Sequence, residues 1–153
     1  MDIINDKLIK LNLKVNTQLE AIEELTKLLY NTNRITSEDV FIKGVLDREK
    51  AITTGFGNGI AIPHCKSECV LNPSIAIGKS INPLEWNALD DKPVNFIILL
   101  AVPKKDSGTM HLRLLSRLSE KLMDDEFRTA LKNANTSNEI LVLLNNINIL
   151  NKH

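Results

Sequence analysis

The chain has 153 residues, with 19 Lys+Arg against 19 Asp+Glu, and is 43% hydrophobic but only 4% aromatic. That length suits a single domain (residues 1–153) that buries a core without staples, and the hydrophobic share excludes an intrinsically disordered chain. Zero formal net charge gives no basic footprint for a general nucleic-acid binder, and the few aromatics remove the stacking platform of single-strand binders.

The first element expected is a strand. Ile9-Lys10-Leu11-Asn12-Leu13-Lys14-Val15 alternates apolar with polar, and its outer lysines suit a sheet edge. Thr17-Gln18-Leu19-Glu20 reads as a capping box opening a helix with Leu19, Ile22, Leu25, Leu28 and Leu29 on one stripe. A second helix starts after Thr36, carries Val40, Phe41 and Val45, and runs to about Lys50. All five prolines, and most of the glycines, then fall in the middle third, which is expected to hold strands and turns. Gly59-Ile60-Ala61-Ile62 forms a short strand stopped by Pro63, and Ser74 to Gly78 forms another. Val94 to Val102 is nearly all apolar and predicts a central strand buried on both faces. The last third returns to helices: a stripe of Leu112, Leu115, Leu118 and Leu122, a shorter one of Phe127, Ala130 and Leu131, and a final helix opened by the capping box Thr136-Ser137-Asn138-Glu139. Interleaved strands and helices predict an α/β fold, one sheet covered by helices on both faces.

Nothing in the chain is apolar enough to span a membrane, since the longest wholly apolar run, Phe96 to Val102, falls far short of the ~20 residues required. The N-terminus has neither a basic n-region nor an apolar h-region, so no signal peptide is expected. Cys65 and Cys69 are four apart, which favours free thiols in a reducing cytosol over a very tight disulfide loop.

Four features could carry chemistry. His64 ends a short strand directly after Pro63, where α/β sheets gather ligand-binding groups. Gly55-Phe56-Gly57-Asn58-Gly59 is either a backbone cradle for an anion or a glycine-rich turn entering a strand. His111 lies on the inner side of a helix first turn that Asp106 or Ser107 would cap; it is either a group facing an anion or a core histidine satisfied by a carbonyl. Arg48 is a surface charge unless the fold brings it to the histidines, where it would pair with phosphate oxygens. A Cys65–His64 nucleophile pair is disfavoured because neighbours on a strand face opposite ways. A zinc site built from His64, Cys65, Cys69 and His111 matches no common spacing. Trp86 reads as a packing anchor.

Arg48-Glu49, followed by Thr53-Thr54-Gly55-Phe56-Gly57-Asn58-Gly59-Ile60-Ala61-Ile62-Pro63-His64, resembles the signature of fructose/mannitol-type (type 2) enzyme IIA. This is a domain of the bacterial phosphoenolpyruvate-dependent sugar phosphotransferase system. The likeness continues through Trp86, Asp90 to Val94, Leu99 to Pro103, His111-Leu112 and Leu122 to Arg128, and is most like the fructose branch. It implies a mixed, mainly parallel sheet with helices on both faces. It also implies that His64 takes a phosphoryl group from the carrier HPr and passes it to a cysteine of enzyme IIB, which serves the membrane component enzyme IIC. His111 would lie beside His64, and Arg48 near the same pocket. The family needs no metal or other cofactor, binds no nucleic acid, does not enter the membrane and works in the cytoplasm. Nδ1–H of His64 is expected on a backbone carbonyl, leaving Nε2 to attack. Cys65 departs from the small residue often found after this histidine. The nitrogen-type branch, which regulates other proteins by phosphorylation-dependent binding, shares the fold and the histidine and is the alternative reading.

Overall fold

The computed structural model describes residues 2–105 and 109–145, with side chains at 2–105 and 112–145. In chain order the elements are β1 (Ile9–Leu13), α1 (Gln18–Asn31), α2 (Glu38–Ala51), β2 (Gly55–Gly57), β3 (Ile60–Ala61), β4 (His64–Ser67), β5 (Ser74–Leu84), β6 (Val94–Pro103), α3 (Thr109–Lys121), α4 (Asp125–Asn133) and α5 (Ser137–Asn145).

The expected caps form. Thr17 Oγ1 accepts from Glu20 N at 3.1 Å, and the Glu20 carboxylate reaches back to the Asn16 N–H at 2.8 Å. Thr136 and Glu139 repeat the arrangement at α5, with Asn135 as the residue reached. Helix α1 closes with Asn33 in the left-handed region (φ 61°), where Arg34 N bonds Leu29 O and Asn33 N bonds Tyr30 O. Those paired bonds satisfy carbonyls the helix end would otherwise leave open.

The sheet runs β1-β5-β6-β3-β2, with β4 also on β6. It is mixed: β1 on β5, β3 on β6 and β4 on β6 are parallel, whereas β5 on β6 and β2 on β3 are antiparallel. The lysine-bearing β1 is an edge, and β6 is central and buried almost throughout. Strands β3 and β4 keep one register against β6, with Ile60 opposite Phe96, Ala61 opposite Ile97 and His64 opposite Leu100. The sequence pattern stops this strand at Pro63; in the structure it resumes at His64. Proline removes one ladder donor, but its carbonyl still accepts from Leu100 N at 2.9 Å and the path continues.

Paired residues share a face, so the two sides can be read from register. Gly78 pairs with Ile97, and a Cβ added at Gly78 would meet Leu25 of α1. Cys65 pairs with Ala101 on that same face and touches Gly44 of α2. Lys79 and His64 are on the opposite face, where Lys79 Nζ bonds the Ala134 carbonyl just past α4. Helices therefore cover both sides.

Several expected core positions turn outward. Leu19 and Val40 are exposed, and Leu112 is 64% exposed while Leu114 is buried in its place. Leucines at 112, 114, 115, 118 and 122 allow two overlapping stripes, and packing selects the one through Leu114, Leu118 and Leu122. Among the described residues, no helix is long and apolar enough to cross a membrane.

Candidate functional site

His64 opens β4 immediately after Pro63 and is buried, with 5% exposure. Its Nδ1 lies 3.0 Å from the Ile62 carbonyl oxygen. A carbonyl only accepts, so in the neutral ring Nδ1 carries the proton and Nε2 the lone pair. That is the tautomer expected for attack through Nε2.

The segment around His64 is held on both flanks. Pro63 O takes Leu100 N from β6, and Ile62 N donates to Thr54 O at 3.0 Å on the other side. Ile62 lies between β3 and β4, and its carbonyl meets the imidazole.

Residue 54 is itself fixed from α2 and from the loop after β5. Glu49 Oε2 accepts the Thr54 N–H at 2.8 Å, and Glu49 Oε1 accepts the Thr54 hydroxyl. Trp86 Nε1–H donates to Thr54 Oγ1 at 3.3 Å, and the Thr53 hydroxyl donates to Trp86 O at 3.2 Å. Trp86 is the packing anchor expected, at 2% exposure, with its indole N–H satisfied. The hydrogen bonds of Glu49 and Thr54 did not emerge from sequence reasoning. One signal was available: a glutamate in the last turn of a helix opposes the macrodipole and calls for another partner.

Arg48 lies in the last turn of α2, and its Nη1 donates to Ile52 O at 2.8 Å, tying down the start of the same loop. The backbone of His111 belongs to the first turn of α3, which follows β6 by a short connection. Its side chain, and the proposed caps Asp106 and Ser107, lie outside the described residues.

The glycine run resolves as a turn. Gly57, Asn58 and Gly59 all have positive φ (112°, 59° and 82°), and Asn58-Gly59 forms the two-residue connection between β2 and β3. Two left-handed residues at a hairpin tip are what Asn-Gly supplies. Its groups are already engaged: Asn58 N donates to Asp90 Oδ2 at 3.0 Å, Asn58 O accepts from Lys132 Nζ, and Gly59 O accepts from Asn95 N and Phe96 N. The turn also sits at the far end of the strand from His64, about 16 Å away at ~3.3 Å per residue. It is no cradle for a group on that histidine.

Cys65 faces α2 while His64 faces the other side, so the two side chains cannot form a nucleophile pair or meet at one metal ion. Burial pushes the Cys65 thiol up to about 12, with Cys69 and Asp47 adding to the effect. It is therefore a protonated, inert thiol at neutral pH. Both cysteines are free and buried.

Comparisons with known proteins show which family the chain resembles. The family model for the phosphoenolpyruvate-dependent sugar phosphotransferase system, EIIA 2, matches residues 2–147. The PTS system fructose-specific EIIA component of Haloferax volcanii is 35% identical over 88% of this chain and 86% of its own length. The 2-O-alpha-mannosyl-D-glycerate-specific EIIABC component of Escherichia coli is 36% identical over 88% of this chain, of which the chain spans only 20%. Among solved structures, the nitrogen regulatory protein IIA-Ntr of Neisseria meningitidis superposes with a TM-score of 0.86 at 30% identity, covering 93% of this chain and 96% of that one. The chain belongs to the type 2 EIIA family of the phosphoenolpyruvate-dependent sugar phosphotransferase system.

Proposed function

We propose that the chain is a phosphoryl carrier, with His64 accepting a phosphoryl group from phospho-HPr and delivering it to a cysteine of enzyme IIB. Transport through enzyme IIC would follow, of a fructose-type sugar in keeping with the names of its relatives. The observation that carries the reading is the Nδ1···Ile62 bond on a buried histidine. It supports attack through Nε2, because Nδ1 keeps the proton.

The Nε2–P bond forms as the donor's N–P bond breaks, and that bond's electron pair returns to the donor ring. The phosphorylated ring keeps its Nδ1–H on Ile62 O. Attack by the thiolate of enzyme IIB then forms S–P and returns the lone pair to Nε2. Such transfer needs in-line positioning and charge stabilisation, and neither metal nor organic cofactor is part of the scheme. His111 would take phosphoryl oxygens from the first turn of α3, and Arg48 would add positive potential. The site acts in the cytoplasm, within a single domain.

The experiment is labelling with phosphoenolpyruvate, enzyme I and HPr. We expect one acid-labile phosphoryl group per chain, absent in His64→Ala; full labelling of that variant overturns the assignment. His111→Ala should remain folded and slow transfer to enzyme IIB, and unchanged transfer removes its role. The likeness to the Neisseria nitrogen regulatory protein supports a second reading, regulation by phosphorylation-dependent binding. A protein that labels on His64 but transfers to no enzyme IIB favours that reading.

A further inference from the structure

A hydrogen-bonded path leads from the end of α2 to the imidazole. Glu49 holds Thr54 by both its N–H and its hydroxyl, Thr54 O holds Ile62 N, and Ile62 O holds His64 Nδ1. We propose that Glu49 and Thr54 are positioning residues that set the tautomer and orientation of His64 through Ile62, a role that rests on the phosphoryl-carrier reading.

The argument is geometric. On this path Ile62 is the residue that touches the ring, and it lies in the short link between β3 and β4. An anchor on its N–H restrains the link and with it the position of its carbonyl. The Thr54 carbonyl provides that anchor, and Thr54 lies in a loop where nothing regular holds it in place. Two side chains do so instead. Glu49 uses both carboxylate oxygens on Thr54, and Trp86 adds a third bond at its hydroxyl. The hydroxyl donates to the carboxylate and accepts from the indole, which only a Ser or Thr side chain can do here. Arg48 pins Ile52 O at the start of the loop, so adjacent residues of the last turn of α2 grip it at two points. Small displacements of a reacting group cost much of the rate of a step that depends on in-line geometry.

The test pairs Thr54→Val with Thr54→Ser and adds Glu49→Gln. Two readouts are taken: the ¹⁵N spectrum of the His64 ring, and single-turnover phosphorylation across a range of phospho-HPr concentrations. In the wild type the ring should show Nδ1 protonated and Nε2 unprotonated. Thr54→Val should mix the two tautomers and lower the maximal rate by about 10-fold or more, with the half-saturating phospho-HPr concentration unchanged. Thr54→Ser should restore both. Glu49→Gln, which keeps the shape but exchanges one acceptor for a donor, should shift both in the same direction by less, and it carries the test should Thr54→Val fail to fold. A folded Thr54→Val or Glu49→Gln with the wild-type tautomer and maximal rate overturns the proposal. A wild type that takes no label on His64 defeats the carrier reading instead, while the tautomer comparison still decides whether the path orients the ring.

Discussion

Gly44 of α2 lies directly over Cys65 of β4: a Cβ placed on Gly44 would stand 2.4 Å from the cysteine sulfur. Helix and strand approach this closely because one side chain is missing. The thiol after the histidine fits because position 44 is glycine.

Gly44→Ala sets two effects against each other. Alanine gains about 1 kcal/mol of helix propensity at an interior position. The new methyl must displace a buried sulfur or push α2 off the sheet, and overpacking of this kind costs about 1–3 kcal/mol. The clash should win, giving a net loss of about 1 kcal/mol in denaturant unfolding. Cys65→Ala in the same background should recover most of it. A double-mutant cycle showing no coupling between the two positions would separate them.

The same packing predicts an alkaline limit. The Cys65 thiol has an ordinary value of 9.0 and is pushed up to about 12 in the folded protein, chiefly by burial. The folded state therefore keeps a proton that the unfolded chain releases. The stabilisation is complete below pH 9 and lost as pH rises from 9 towards 12. Unfolding midpoints measured across that window should fall, and Cys65→Ala should flatten the decline. At pH 8 the native protein should react slowly with thiol reagents, and quickly once denatured.

Arg34 presents the opposite problem, a buried cation at 2% exposure. Its Nη1 bonds Ser74 Oγ at 3.1 Å and the Asp2 carbonyl, which ties the N-terminal segment to β5. Burial lowers its pKa, and Asp2 counters part of that effect. Hydrogen bonds to a charged group contribute about 1.5–3 kcal/mol, but burying the cation costs several kcal/mol in desolvation. Arg34→Met keeps the volume and removes both terms, so stability should change by no more than about 1 kcal/mol. Ser74 also donates to Asn72 O and is not stranded by the change. Arg34→Ala leaves a cavity and should cost about 3 kcal/mol. Equal losses in the two variants would show that charge, not volume, matters at this position.

What could be read from the sequence was what is encoded locally. The caps at Thr17 and Thr136 depend on residues three apart, and the edge strand at Ile9–Leu13 on simple alternation. The strand containing His64 was only half legible, because its continuation past Pro63 depends on register with β6, which is set by residues 36 positions later. Leu112 and Leu114 were exchanged because their stripes overlap and only the packed partner decides between them. His64 was recognisable as a candidate from Pro-His at a strand end. The hydrogen bonds behind it were not, since Glu49, Thr54 and Trp86 meet only in three dimensions. The glycine run allowed both a cradle and a turn, and it took Asp90 and Lys132, distant in sequence, to show its groups engaged.

Asp90 carries the last prediction. Its carboxylate accepts the Asn58 N–H at 3.0 Å and the Lys92 N–H at 3.1 Å, and these two bonds hold its pKa below the ordinary 3.8. A depressed carboxylate stabilises the fold above its unfolded value, and that contribution disappears as pH falls through the folded one. The β2–β3 turn should therefore weaken below about pH 4. Asn58 sits in the left-handed region between two positive-φ glycines, so losing the Asp90 contact leaves the turn held through its carbonyls, by Lys132 at Asn58 and by Asn95 and Phe96 at Gly59. Intrinsic amide exchange slows from pH 5 to pH 3, so the test is the protection factor at Asn58, which should fall over that range as the Asp90 carboxylate is protonated. Asp90→Asn should exchange faster than wild type at pH 5 and show no such fall. His64, at the other end of the strand, should keep its Nδ1–H resonance in the variant, which would show that the turn and the phosphoryl site are independent.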